Sequence, residues 1–152
     1  MIPMPEFREV GLAAILTRDD DLRALLARTR VIAVVGASPR PDRPSHSVMA
    51  YLQRAGYRVI PVNPGVAGGS ILGERVYGAL GEIPEAVDLV DVFRRAEDTP
   101  PIARDSVKIG AKSLWLQLGI VNDEAARIAI DGGLDIVMDR CTAVDVSRLR
   151  PR

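Results

Sequence analysis

The chain is poor in the residues that usually do chemistry. It has one cysteine, Cys141, and one histidine, His46, in 152 residues. A lone thiol cannot close an internal disulfide and suits a reducing compartment. A single imidazole excludes a histidine-based metal cluster. Cys141 and His46 lie far apart in the chain, so no Cys–His nucleophile pair is legible. Aromatic residues make up 4%, too few for the stacking platforms of single-strand binders. Twenty basic side chains cancel twenty acidic ones. The basic excess of a phosphate-backbone binder is therefore missing, and no nucleic-acid partner is expected. No apolar run approaches the ~20 residues that cross a bilayer. The opening MIPMPEFREV lacks the charged-then-apolar pattern of a signal peptide. The expectation is a soluble, cytoplasmic protein with no membrane partner. Also missing are a G-x-G-x-x-G fingerprint and a P-loop; Gly68 to Gly73 continues into Glu74 and Arg75, without the lysine. No Ser–His–Asp pattern and no paired carboxylates occur. No catalytic residue and no metal ligand are predicted.

What is present is a regular alternation. Apolar content of 47% is enough for one core in a chain of this length. The reading is a single domain, residues 1–152, with its core at about 20–142 and peripheral ends at 1–16 and 143–152. VIAVV (31–35), YRVIPVN (57–63), DLVDVF (88–93), SLWLQLG (113–119) and LDIVMD (134–139) read as strands. The first has no polar alternation, as in strands covered on both faces. Pro61 puts the second near a sheet edge or at a missing ladder bond. Helices fit between them. One is capped by Thr17 or Asp19, with Leu22, Leu25, Leu26 and Thr29 inward. Another has Ser45 as N-cap, a third opens at Pro100 and Pro101, and a fourth is capped by Asn122. Residues 64–86 look irregular, and 140–152 read as a polar tail on the surface. This alternation predicts an α/β, Rossmann-like fold: a mainly parallel five-stranded sheet with helices on both faces.

The loop after the first strand is the strongest candidate for a ligand site. It runs Gly36, Ala37, Ser38, Pro39, Arg40, Pro41, Asp42, Arg43, Pro44, Ser45, His46, Ser47. Ligands of such sheets bind at carboxyl ends of strands. Gly36 admits a close phosphate, the serines offer hydroxyls, and Arg40 and Arg43 can grip phosphate oxygens. Backbone N–H groups near His46 and Ser47 are expected to face an anion at the helix start. Three further strand ends join it. Asn63, Pro64 and the glycines beyond form the second, with no acid to hold a ribose diol. Phe93, Arg94 and Arg95 form the third, suited to an adenine and a phosphate. Gln117, Leu118, Gly119 and Ile120 form the fourth, suited to an amide-bearing arm.

VVGASPRPDRPSHSVMAYLQRAGYRVIPVNP, ILGERVY, IPEAVDLVDVFRR, LWLQLGI and GLDIVMDRC, in that order, resemble the small CoA-binding-domain proteins. These are similar to the N-terminal domain of the succinyl-CoA synthetase α subunit. The resemblance covers roughly residues 20–142. It implies a Rossmann-like fold and coenzyme A, or an acyl-CoA, as the small-molecule ligand. It implies that Gly36, Ala37, Ser38 and the Arg40–Arg43 region meet the phosphates. Val62, Asn63 and Pro64, then Phe93 and Arg94, then Gln117, Leu118 and Gly119 complete the implied site. The synthetase's phosphorylated histidine lies in a following domain, and ATP-grasp domains are missing here. The resemblance therefore implies a non-catalytic binder. The alternatives are a subunit of an acyl-CoA ligase or transferase needing a partner chain, and an NAD(P)-responsive regulator. A protein partner or a homo-oligomer is compatible with either.

Overall fold

The computed structural model describes residues 12–149. These form strands β1 (Val31–Val35), β2 (Arg58–Val62), β3 (Ser70–Ile71), β4 (Glu74–Arg75), β5 (Leu89–Val92), β6 (Ser113–Leu116) and β7 (Asp135–Val137). The α-helices are α1 (Asp19–Ala27), α2 (Pro44–Arg54), α3 (Thr99–Lys108), α4 (Asp123–Asp131) and α5 (Thr142–Leu149). Five strands make one parallel sheet in the order β2-β1-β5-β6-β7. The other two, β3 and β4, pair as a small antiparallel hairpin.

The unbroken apolar strands follow from cover on both faces. Ile32, Val34, Leu89 and Trp115 pack on the side of α1, α2 and α5. Ala33, Val35, Val90 and Leu114 pack on the opposite side, against alanines of α3 and α4. The α/β, Rossmann-like layering with helices on both faces is thus present.

Both sheet edges are closed. Pro61 lies in edge strand β2, and its carbonyl accepts from Tyr77 N–H on the outer side. A strand residue's N and O face the same way, so the donor that proline lacks belongs to that outer edge. Tyr77 and Val62 form a single parallel bridge, the stub of a further strand. On the far edge Ile15 bridges Ile136, with Leu16 N–H donating to Ile136 and Ile136 N–H to Ala14.

Three local expectations need correction. The N-cap of α1 is Arg18, not Thr17 or Asp19, and it makes no side-chain cap bond. The N-cap of α2 is Arg43, because Pro44 takes the first helical position; Ser45 sits inside the first turn. Residues 142–149 are no surface tail but helix α5, with Thr142, Asp145, Val146 and Leu149 buried. It closes the core over α1 and α2. Asn122 caps α4 as expected, its Oδ1 accepting from Ala125 N–H at 2.8 Å.

The strand order fixes where a ligand can enter. From β1 the chain crosses to β2 on one side, then to β5 on the other. Loops after β1 and β5 therefore part, leaving a crevice at their carboxyl ends.

Candidate functional site

A cavity of about 670 Å³ opens at that crevice, within the usual range for cofactor sites. Its walls come from four loops: Gly36–Val48 after β1, Phe93–Arg95 after β5, Gln117–Ile120 after β6 and Cys141 before α5. Gly36 is where the first two loops touch. Its φ is +86°, and an added Cβ would sit 2.5 Å from the Phe93 carbonyl oxygen. Only glycine allows β1 to turn this close to the end of β5.

Charge in the cavity has one sign. Arg40, Arg43, Arg94 and Arg95 line it, and no carboxylate does. Arg40 pairs outward with Asp42 at 3.2 Å, Arg94 with Asp98 at 3.6 Å, and Arg95 with Asp98 at 3.1 Å. Arg43 has no carboxylate partner among the described residues. A free guanidinium beside a helix start is an anion-binding arrangement.

Which backbone amides are available is also decided. Gly36 and Ala37 N–H both donate to the Val62 carbonyl, and Arg40 N–H to Ser38 Oγ. His46 and Ser47 N–H both donate to the Arg43 carbonyl. They do not face an anion, correcting the expectation at those two positions. Of the residues between Gly36 and Val48 that line the cavity, Ser38 and Ser45 are the ones whose amides have no bonded partner among the described residues. Ser45 is only 4% exposed. Its Oγ has no hydrogen-bond partner among the described residues and is not sealed off, so it opens on the cavity beside its own N–H.

The predicted residues divide. Gly36, Ser38, Arg40, Arg43, Ser45, Phe93, Arg94, Gln117 and Leu118 come together on the cavity. Ala37, His46, Ser47, Val62, Asn63, Pro64 and Gly119 do not line it. Several of these brace the wall instead. Asn63 Nδ2 donates to the Ala37 carbonyl at 2.7 Å, and its Oδ1 accepts from Gly65 N–H; the side chain ties the β1 and β2 loops together. Gly119 N–H donates to Asp139 Oδ1 at 2.6 Å, tying the loop after β6 to the loop after β7. Ser47 Oγ donates back to the Pro44 carbonyl. Val48 and Cys141 also line the cavity, although neither is expected at the site from the sequence. Cys141 joins only through the return of β7 to the site, which no local pattern signals.

Behind the wall lies a buried polar triangle. Asp91, fully buried in β5, accepts from Gln117 Nε2 at 2.6 Å and from Thr142 Oγ at 2.9 Å. Gln117 Nε2 also donates to Thr142 Oγ at 2.8 Å. Burial pushes the Asp91 carboxyl up to about 7, against the lowering effect of those two bonds. Asp91, an acid set between the apolar pairs of DLVDVF, is the signal the sequence offers for this triangle.

The residues 30–147 match the family described as CoA binding domain. The chain belongs to the CoA binding domain family. The protein YneT of Bacillus subtilis is 41% identical over 124 residues, 82% of this chain and 90% of that one. A hypothetical protein from Pyrococcus horikoshii is 38% identical, with a TM-score of 0.84 over 96% of this chain and 99% of that one. The acetyl-coenzyme A synthetase 1 of Candidatus Korarchaeum cryptofilum shares the fold: 23% identity, TM-score 0.62, 70% of this chain and 25% of that one. The family's fold is the layered sheet described above, and the cavity lies at the carboxyl ends of its strands. Among the described residues no helix is long and apolar enough to cross a membrane.

Proposed function

We propose that the chain binds coenzyme A, free or acylated, in this cavity, without chemistry of its own. The observation that carries the reading is the set of unsatisfied anion donors at the switch point. These are the Arg43 guanidinium, the Ser38 and Ser45 amides and the Ser45 hydroxyl. A diphosphate laid over the start of α2 matches all of them. Phe93, half-buried on the cavity, offers a face for adenine. Gln117 and Leu118 lie where a pantetheine arm would leave the phosphates. Family membership supports the same ligand.

Calorimetry with CoA tests the reading. Arg43→Ala is expected to weaken binding about tenfold, the worth of one charge-assisted phosphate contact. Unchanged affinity would remove Arg43 from the site. NADP displacing CoA in the same titration would favour the nucleotide-responsive regulator instead.

A second reading, that of a CoA-carrying subunit, draws on the loop after β6. Leu118 is 71% and Val121 51% exposed beside the cavity mouth, and apolar residues so placed suit a partner surface. Thioester formation on mixing with an ATP-grasp protein would support it.

A further inference from the structure

The geometry points to Asp91 as a positioning residue that, through Gln117, decides whether the cavity wall presents a hydrogen-bond acceptor or a donor to the ligand's amide arm. This inference rests on the coenzyme reading above.

The argument starts from what a carboxylate can do. Ionised Asp91 only accepts. Its two oxygens take Gln117 Nε2 and the Thr142 hydroxyl, so the Gln117 nitrogen must face inward. The Gln117 side chain is 4% exposed and lines the cavity. Its Oε1 has no bonded partner and is not sealed off. The oxygen is therefore an unmatched acceptor open to the cavity. A pantetheine arm carries amide N–H groups of the matching kind. Protonated Asp91 gains an O–H donor. That donor favours the amide turned over, with Oε1 inward and NH₂ toward the cavity, where it repels an N–H.

A buried carboxylate without a cation beside it is costly to keep, and the two hydrogen bonds from Gln117 and Thr142 offset only part of the cost. On its side of the sheet, α1 and α2 contribute apolar residues such as Leu22 and Met49. β1, β6 and β7 contribute Val34, Trp115 and Val137. From α5 comes the Thr142 hydroxyl, with Cys141 just before it. Arg140 and Arg148 at that helix are held by Asp145, and Arg148 also by Asp19. Among the described residues no cation bonds Asp91. Desolvation places its titration near neutrality, so both amide orientations fall within an accessible pH range.

The experiment measures the affinity ratio of CoA to adenosine 3′,5′-bisphosphate, which lacks the amide arm, from pH 5.5 to 8.5. In the wild type the ratio should fall about tenfold on acidification. In Asp91→Asn it should be low and flat; titration of the ligand phosphates is common to both proteins and cancels in that comparison. The side-chain ¹⁵N resonance of Gln117 in the wild type should shift with the same midpoint, a readout that needs no variant to fold. CoA binding with the same ratio profile in both proteins, or a Gln117 resonance indifferent to pH, would overturn the role of Asp91 alone. No CoA binding at any pH would overturn the coenzyme reading and this inference with it.

Discussion

Gly36 is the residue at which side-chain volume is least tolerated on the site. Its left-handed φ and the 2.5 Å approach of the Phe93 carbonyl act together. Gly36→Ala is expected to lower stability by about 2 kcal/mol or more, read from denaturant midpoints, and to part the β1 and β5 loops. A midpoint within error of wild type would mean that the two loops separate freely. The sequence made this glycine legible because it closes an apolar strand. It did not reveal which loop amides stay unbonded. That outcome turned on a shift of two residues in the helix cap. With Arg43 rather than Ser45 as N-cap, the Arg43 carbonyl collects the His46 and Ser47 amides, and Ser45 is left facing the cavity.

At the scale of elements, the pairing of α3 and α4 depends on a missing side chain. A Cβ at Gly132, the C-cap of α4, would lie 2.4 Å from Val107 Cγ2 of α3. Gly132→Ala is expected to cost about 1–3 kcal/mol through overpacking, measurable as a lower thermal midpoint. Val107→Ala in the same chain should recover part of the loss, and no recovery would place the strain elsewhere. In the sequence alone, a glycine after a helical run such as Gly132 reads as a stop signal, not as a packing position. The sequence also left α5 unread. TAVDVSRL is short and half polar, so its helical state comes from burial of Val146 and Leu149 against α1 and α2. The strands were legible because cover on both faces leaves long apolar runs. VIAVV coincides with β1, while the other four runs extend one to three residues beyond their strands at one or both ends.

For the molecule as a whole, neutrality hides an internal division. Twenty charges of each sign cancel, yet the cavity carries guanidinium groups without a lining carboxylate. The acids that balance Arg40, Arg94 and Arg95 lie outside it. Binding of an anionic ligand should therefore weaken with salt despite zero net charge. Raising the ionic strength from about 0.05 to 0.5 M is expected to reduce CoA affinity several-fold, and Arg43→Ala should flatten that dependence. Affinity indifferent to salt would place the phosphates away from the arginines.

Local pattern was enough to specify the alternation of strands and helices, because apolar periodicity and turn residues act over a few neighbours. It was also enough to mark the loop after β1 as the place for an anion. Strand order, the return of Cys141 to the cavity and the placing of Asp91 behind Gln117 arise from contacts between distant segments. They could be decided only when the sheet assembled, since each depends on which strand lies beside which.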